Sequence, residues 1–187
     1  MHSVAQKDIS QILKAAAFAA DKHRMQRRKD AEASPYINHP LALAHILCSE
    51  GNVADPKILV SALLHDTVED TETSEAELVR EFGPDVAAVV MEVTDDKSLP
   101  KEERKRLQVT KAAGKSDAAK LVKLADKISN LRDIATSPPA DWSAERREAY
   151  FHWAKDVVDG LRGVSPALEA IFDEVYEQGL SVIRAAA

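Results

Sequence analysis

Apolar residues recur three and four positions apart along most of the chain, and this period constrains the fold more than any other feature of the sequence. Within residues 5–25 it marks one face of a first helix, and Leu121, Leu124 and Ile128 mark a face of another. No sustained run of alternating Val, Ile and Thr, the pattern of a half-buried strand, interrupts these helices. The sequence therefore predicts an all-α fold.

Proline, glycine and short polar residues predict where the helices begin and end. Asp55–Pro56 is an N-cap followed by a proline at the first helical position. Ser74 and Glu77 form a capping box. The predicted helices lie at 5–25, from Pro40 to Gly51, from Asp55 through Leu64, from Ser74 to Gly83, from Pro84 onwards, and at about 100–113, 117–136, 143–160 and 165–179.

Length and charge limit the class of protein. A chain of 187 residues suits one domain, expected to cover residues 1–187 with a core at about 5–180. The net charge of −6 argues against a protein that coats DNA or RNA, and the single cysteine, Cys48, excludes an internal disulfide. No apolar run reaches membrane-spanning length and Met1–Asp8 lacks a secretory signal. We therefore expect a cytoplasmic protein without nucleic-acid or membrane partners.

The segment Leu63–Asp70 brings four ionisable residues to the end of an apolar helix. On a continuous helix, His65 lies four positions before Glu69, and Asp66 lies four before Asp70, so the two pairs occupy adjoining strips. Burying these groups is costly unless a metal or hydrogen-bond partners compensate. Because a His-Asp pair is short and recurs by chance, an ordinary solvated helix end stays open as an interpretation at this point.

Two distant segments add further candidate ligands. His39 precedes a helix that begins with a proline, where its ring can face inward, and Asp126 is a carboxylate within an apolar helical stripe. The alternative for Asp126 is a salt bridge with Lys127 or Arg132. The combined set is two imidazoles and two carboxylates: His39, His65, Asp66 and Asp126. Mixed donors of this kind suit Mn²⁺, Fe²⁺ or Zn²⁺ and leave positions open for water and a phosphate oxygen.

This pattern resembles the HD phosphohydrolase superfamily. Four strings are similar to the hydrolase domain of the RelA/SpoT proteins, and most of all to the small alarmone hydrolases of the metazoan SpoT homologue type: Arg27–Asp30, Pro35–Pro40, Leu63–Thr71 and Lys123–Asp126. The resemblance covers nearly the whole chain. It implies a single HD hydrolase domain, without a synthetase or regulatory domain, that removes the 3′-pyrophosphate of guanosine tetra- or pentaphosphate (ppGpp or pppGpp).

The resemblance also implies roles for individual residues. One manganese ion, with iron or zinc as possible substitutes, would be held by His39, His65, Asp66 and Asp126. Glu69 and Asp70 match the acidic pair that positions or activates the attacking water. Arg28 and Lys29 match a guanosine-binding loop, and Asn130 matches a position that faces the nucleotide. Similarity to the subgroup adds three candidates for the phosphate end: Lys101, Arg146 and Tyr150.

Two alternative functions would use the same predicted metal site. One is a phosphatase for NADPH or another phosphorylated nucleotide, and the other is a non-catalytic nucleotide sensor. A sensor has no need of the acidic pair, so the complete set of ligands and acids disfavours it. The chain departs from the family pattern at Ala33, where relatives usually carry a glycine, and at Ser129, where an aromatic residue or histidine is common.

Overall fold

The computed structural model describes residues 6–185, and within that range the all-α prediction is confirmed. Apart from helices and loops, this range contains one isolated antiparallel bridge, between Arg27 and Pro35. None of the helices described is long and apolar enough to cross a membrane. The α-helices are α1 Gln6–Lys22, α2 Asn38–His45, α3 Pro56–Leu64, α4 Thr67–Asp70, α5 Glu75–Phe82, α6 Pro84–Val93, α7 Lys101–Lys111, α8 Asp117–Thr136, α9 Ala144–Asp159 and α10 Pro166–Ala185.

Helix ends lie close to the predicted capping residues. Asp55 caps α3 by accepting a hydrogen bond from the backbone N–H of Lys57 at 2.8 Å. Ser74 caps α5 through the N–H of Glu77 at 3.2 Å. Helix α8 has the predicted bounds, whereas α10 continues to Ala185, beyond the predicted end at 179.

Helix α8 is the central element, because it packs against α2, α3, α6, α9 and α10. Twelve of its 20 residues are buried, so apolar side chains surround it on several sides. Four of the buried residues are polar or charged and lie in the middle of the helix: Lys123, Asp126, Lys127 and Ser129. Burial of such groups requires partners from the packed helices, which places a polar cluster inside the bundle.

The segment after α3 does not continue that helix, so the prediction that both side-chain pairs lie along one continuous helix is wrong. Asp66 and Asp70 still share the turn of α4, where the Asp70 N–H donates to the Asp66 carbonyl at 2.8 Å. Helix α3 ends at Leu64, a turn follows, and α4 begins at Thr67. The His65 Nδ1–H donates to the carbonyl of Ala62 at 2.8 Å, and the Thr67 hydroxyl donates to that of Leu64 at 2.7 Å. Side chains thus occupy carbonyls that backbone N–H groups would use in a continuing helix.

Candidate functional site

Three predicted ligands come together from separate elements. His39 lies in the first turn of α2, His65 in the turn after α3, and Asp126 in α8. Each places one ligand atom within 4.8 Å of the others. His39 Nε2 lies 3.3 Å from Asp126 Oδ1. All three side chains are buried, so the fold holds this group of donors away from bulk water.

The fourth predicted ligand, Asp66, lies beside both imidazole rings. Its Oδ2 atom is 2.8 Å from His65 Nε2 and 3.9 Å from His39 Nε2. The hydroxyl of Tyr36 donates to the same oxygen at 2.5 Å. Burial, together with the charge of Asp66, raises the pKa of Tyr36, so this hydroxyl is a proton donor at neutral pH. Asp66 therefore lies beside both histidines, although the group of donors within 4.8 Å of one another is formed by His39, His65 and Asp126.

The donor set fits a divalent cation. The Nδ1–H of His65 donates to the carbonyl of Ala62, so in the neutral imidazole it is Nε2 that carries the lone pair. That Nε2 atom is buried and makes no hydrogen bond, although Asp66 Oδ2 is 2.8 Å away. A nitrogen lone pair and a carboxylate oxygen that face each other share no proton, and a cation satisfies both. These residues therefore suit a metal of the kind that binds mixed imidazole and carboxylate donors.

Nearby charges keep the two carboxylates ionised. Burial raises the pKa of Asp126, but the ammonium of Lys127 and a hydrogen bond from His39 outweigh it and hold the pKa well below its usual range. Burial likewise raises the pKa of Asp66, and the neighbouring imidazoles of His65 and then His39 bring it below its ordinary value. Burial lowers the pKa of His39, which favours the neutral imidazole that binds metals.

Lys127 is the cation that pairs with Asp126. Its Nζ atom lies 3.0 Å from Asp126 Oδ2 and 4.4 Å from the centroid of the Trp153 ring. Arg132, the other candidate, pairs with Glu50 at 2.8 Å. The salt bridge uses Oδ2 and leaves Oδ1 3.3 Å from His39 Nε2, so the salt bridge is compatible with a metal-ligand role for Asp126.

The predicted acidic pair occupies two different environments. Glu69 Oε2 accepts a hydrogen bond from the backbone N–H of Asp95 at 3.0 Å, and Glu69 Oε1 lies 3.8 Å from Arg104 Nη1. Burial raises the pKa of Glu69. Asp70 forms an ion pair with Lys97, which is half exposed. The two carboxylates therefore differ in burial and in the cation that each one faces.

A cavity of about 490 Å³ adjoins the ligand cluster, since Tyr36 and His39 belong to its wall. Four of the six predicted substrate contacts line it: Arg28, Lys29, Asn130 and Tyr150. Lys101 and Arg146 are not among the described residues that form this wall. Lys101 is exposed at the start of α7, and the guanidinium of Arg146 lies 4.5 Å from the centroid of the Trp142 ring, which does line the cavity.

Asn130 connects the cavity to the ligand cluster. Arg28 Nη2 donates to Asn130 Oδ1 at 3.3 Å and to Asp133 Oδ2 at 2.5 Å. Asn130 Nδ2 donates in turn to Asp126 Oδ1 at 2.6 Å. Positions 126, 130 and 133 share one face of α8 because they are four and three residues apart. One amide side chain thus joins a predicted substrate contact to a predicted metal ligand.

Three residues of the site had no role in the sequence analysis: Gln26, Tyr36 and Asp133. Helical spacing supplies a signal for Asp133, which follows Asn130 by three positions. Gln26 and Tyr36 lie between helices, where no period indicates which side chains point inward. Gln26 contacts Asp70 across 44 positions, and Tyr36 contacts Asp66 across 30.

Residues 26–36, here named the cavity loop, fold back on themselves between α1 and α2. The N–H of Arg28 donates to the carbonyl of Ser34 at 2.8 Å, and that of Tyr36 donates to the carbonyl of Gln26 at 3.2 Å. Within the loop, Ala33 has a φ of 51°, in the left-handed region that favours glycine. The loop therefore keeps a glycine-like backbone at a residue that carries a Cβ atom.

Replacing Ala33 with glycine should stabilise the protein. The left-handed conformation costs a residue with a Cβ atom roughly 1–2 kcal/mol, and the greater unfolded-state freedom of glycine offsets about 0.5–1 kcal/mol of that gain. We expect the free energy of unfolding to rise by up to about 1 kcal/mol, measured as a higher urea midpoint at unchanged slope. Ala31→Gly is the matched control, because Ala31 has no positive φ and should lose stability. A lower urea midpoint for Ala33→Gly would contradict the claim that the backbone at Ala33 is strained.

The sequence and the fold are similar to those of known hydrolases. The HD domain family matches residues 15–155. The guanosine-3′,5′-bis(diphosphate) 3′-pyrophosphohydrolase MESH1 of Xenopus tropicalis is 55% identical over 94% of this chain and 98% of that protein. The Homo sapiens protein of the same name is 53% identical over the same shares. A solved structure described as a metazoan ortholog of SpoT that hydrolyzes ppGpp has a TM-score of 0.89 and 49% identity, covering 96% of this chain and 99% of that one.

Proposed function

This chain belongs to the HD domain family, and from that premise we propose that it is a guanosine-3′,5′-bis(diphosphate) 3′-pyrophosphohydrolase. It converts ppGpp to GDP and pyrophosphate, and pppGpp to GTP and pyrophosphate. The observation that carries the proposal is the cavity itself, which has a metal-type cluster on one side and the Arg28 guanidinium on another. A small anionic nucleotide matches both features.

We propose that one divalent ion, manganese in the first place and iron or zinc otherwise, is held by His39, His65, Asp66 and Asp126. When bound, such an ion supplies positive charge for phosphoryl oxygens and lowers the pKa of water. Lys127 and Asn130 hold the two oxygens of Asp126, at 3.0 and 2.6 Å respectively. The carboxylate is therefore oriented before any ligand arrives.

Glu69 is the better candidate for the group that accepts the proton of the attacking water. Burial raises its pKa, which brings it nearer to neutral pH and strengthens it as a base. The Asp95 N–H fixes Oε2 at 3.0 Å, and Oε1, which lies 3.8 Å from Arg104 Nη1, is the oxygen proposed to contact the water. Asp70 forms an ion pair with Lys97, and we propose that it positions that water.

We propose that different residues contact the nucleoside and the phosphate end of the substrate. Arg28 and Lys29 of the cavity loop, and Asn130 of α8, which accepts a hydrogen bond from Arg28, line the cavity and are proposed to hold the nucleoside. Tyr150 is proposed to contact the phosphate end, where Lys101 and Arg146 would meet the distal phosphates. The guanidinium of Arg146 lies 4.5 Å from the centroid of the Trp142 ring, which lines the cavity, and this contact supports the proposal for Arg146.

We further propose that residues 1–187 form one HD hydrolase domain that acts in the cytoplasm on this nucleotide, without nucleic-acid or membrane partners. The net charge of −6 argues against a strongly basic surface of the kind that binds nucleic acids.

Side-by-side kinetics with ppGpp and NADPH, in the presence of Mn²⁺, Fe²⁺ or Zn²⁺, test this function. The ribose of ppGpp carries a diphosphate at both the 3′ and the 5′ position, whereas the group that NADPH would lose is a single 2′-phosphate, so ppGpp offers more charge to the cations proposed to contact it. One well-placed charged contact contributes about 1.5–3 kcal/mol, so we expect kcat/KM for ppGpp to exceed that for NADPH by roughly tenfold or more. If NADPH is dephosphorylated more efficiently and ppGpp yields no pyrophosphate, the phosphatase alternative replaces the proposal.

A further inference from the structure

The base of the cavity loop contacts both ends of the acidic segment, defined as residues 65–70. At one end, the hydroxyl of Tyr36 donates to Asp66 Oδ2 at 2.5 Å. At the other, Nε2 of Gln26 donates to the backbone carbonyl of Asp70 at 2.5 Å. Gln26 and Tyr36 are themselves joined by a backbone hydrogen bond of 3.2 Å. Two hydrogen bonds therefore connect the loop that carries Arg28 to the segment that carries a proposed metal ligand.

The ring of Tyr36 is held in place by its neighbours. Its centroid lies 4.8 Å from that of the His23 ring, and the guanidinium of Arg28 lies 5.9 Å from it. The His39 ring lies 6.0 Å away in an edge-on arrangement. Packing therefore fixes the position of the hydroxyl, and with it the oxygen of Asp66 that accepts its proton.

We propose that Tyr36 is a positioning residue that orients the Asp66 carboxylate for metal binding. The inference rests on the proposed function, since it assigns a partner to one of the proposed ligands. A carboxylate can rotate, and Asp66 Oδ2 already lies 2.8 Å from a histidine nitrogen with which it shares no hydrogen bond. The Tyr36 hydroxyl occupies one lone pair of that oxygen and fixes the rotation of the carboxylate. Partners of this kind orient metal ligands and strengthen metal binding.

The two contacts of Tyr36 can be separated by mutation. Its hydroxyl contacts Asp66, whereas its ring faces Arg28, which is a proposed substrate contact. Tyr36→Phe removes the hydroxyl and keeps the ring. The substitution should therefore weaken metal binding and leave the affinity for the nucleotide unchanged.

The experiment measures Mn²⁺ binding to the metal-stripped protein by calorimetry, and then ppGpp hydrolysis. For Tyr36→Phe we expect the Mn²⁺ dissociation constant to rise by about tenfold or more, the usual size for loss of a partner of a metal ligand. At limiting Mn²⁺ the kcat falls, while KM for ppGpp at saturating Mn²⁺ stays within about twofold. Tyr176→Phe is the matched control, because it removes a hydroxyl that lies 2.8 Å from His152 Nδ1, between α9 and α10.

The outcomes separate this inference from the proposed function. If Tyr36→Phe binds Mn²⁺ as tightly as the wild-type protein, or loses no more affinity than Tyr176→Phe, the inference is wrong. A rise in the dissociation constant confined to Tyr36→Phe, at a Tm like that of the control, supports it. If the wild-type protein binds Mn²⁺ and releases no pyrophosphate from ppGpp, the proposed function fails while the effect of Tyr36 on metal binding still stands.

Discussion

Replacing Asp126 with alanine should abolish measurable pyrophosphate release and strip the site of its metal. The side chain supplies the oxygen that lies 3.3 Å from His39 Nε2 and, in the proposed function, one of four metal ligands. Changing a partner of a ligand usually costs about 10–100-fold in metal affinity, and we expect loss of the ligand itself to exceed that range. Metal analysis of the purified variant and its initial rate with ppGpp measure the two effects.

Folding must be separated from binding in that test, because Asp126→Ala leaves the buried ammonium of Lys127 unpaired. Loss of one partner of a buried ion pair typically destabilises a protein by about 3–5 kcal/mol. Asp126→Asn provides the comparison, since it keeps the volume and one oxygen but loses the charge. Thermal unfolding identifies which variants are folded. A folded variant with full metal occupancy and an unchanged rate would remove Asp126 from the site.

Changing both acidic residues, Glu69→Gln with Asp70→Asn, should depress kcat and leave the metal bound. Neither side chain belongs to the group of donors formed by His39, His65 and Asp126. Neutral amides cannot accept the proton of water, and general-base catalysis typically contributes 10²–10⁴-fold, so a loss of about that size is expected. Stopped assays at saturating ppGpp, with metal content measured on the same sample, give the result.

The single variants test the division of roles. Because Asp70 is paired with Lys97 and Glu69 is the more buried base, Glu69→Gln should account for most of the loss in kcat. Glu77→Gln is a suitable control, since Glu77 pairs with Lys22 at 2.9 Å and does not line the cavity. A normal kcat in the double variant would show that the acidic pair has a structural role, and it would contradict the proposed mechanism.

The helices were predictable because their ends are encoded locally. Ser116, like Asp55 and Ser74, accepts a hydrogen bond from a backbone N–H in the first turn of its helix, so a short polar side chain marks each start. The break after Leu64 was not predictable in this way. It depends on side chains of His65 and Thr67 that bind carbonyls, and the same residues are compatible with a continuous helix.

The family and its ligand types could be predicted from four short strings, and the similarity to known hydrolases confirms that resemblance. The side-chain contacts between the strings could not be predicted, because they join residues far apart in the chain. Arg28 contacts Asp133 across 105 positions, and Tyr36 contacts Asp66 across 30. The substrate roles of Lys101 and Arg146, which do not line the cavity, stay predictions.

The most direct test of the account is metal restoration with ppGpp as substrate. The wild-type protein is stripped of metal, Mn²⁺ is added back in steps, and the release of pyrophosphate and GDP is followed at each step. We expect no release from the stripped protein and a rate that rises to a plateau at one ion per chain, since one cluster of His39, His65, Asp66 and Asp126 is proposed to hold one ion. Release of pyrophosphate at full rate by the stripped protein would contradict the account.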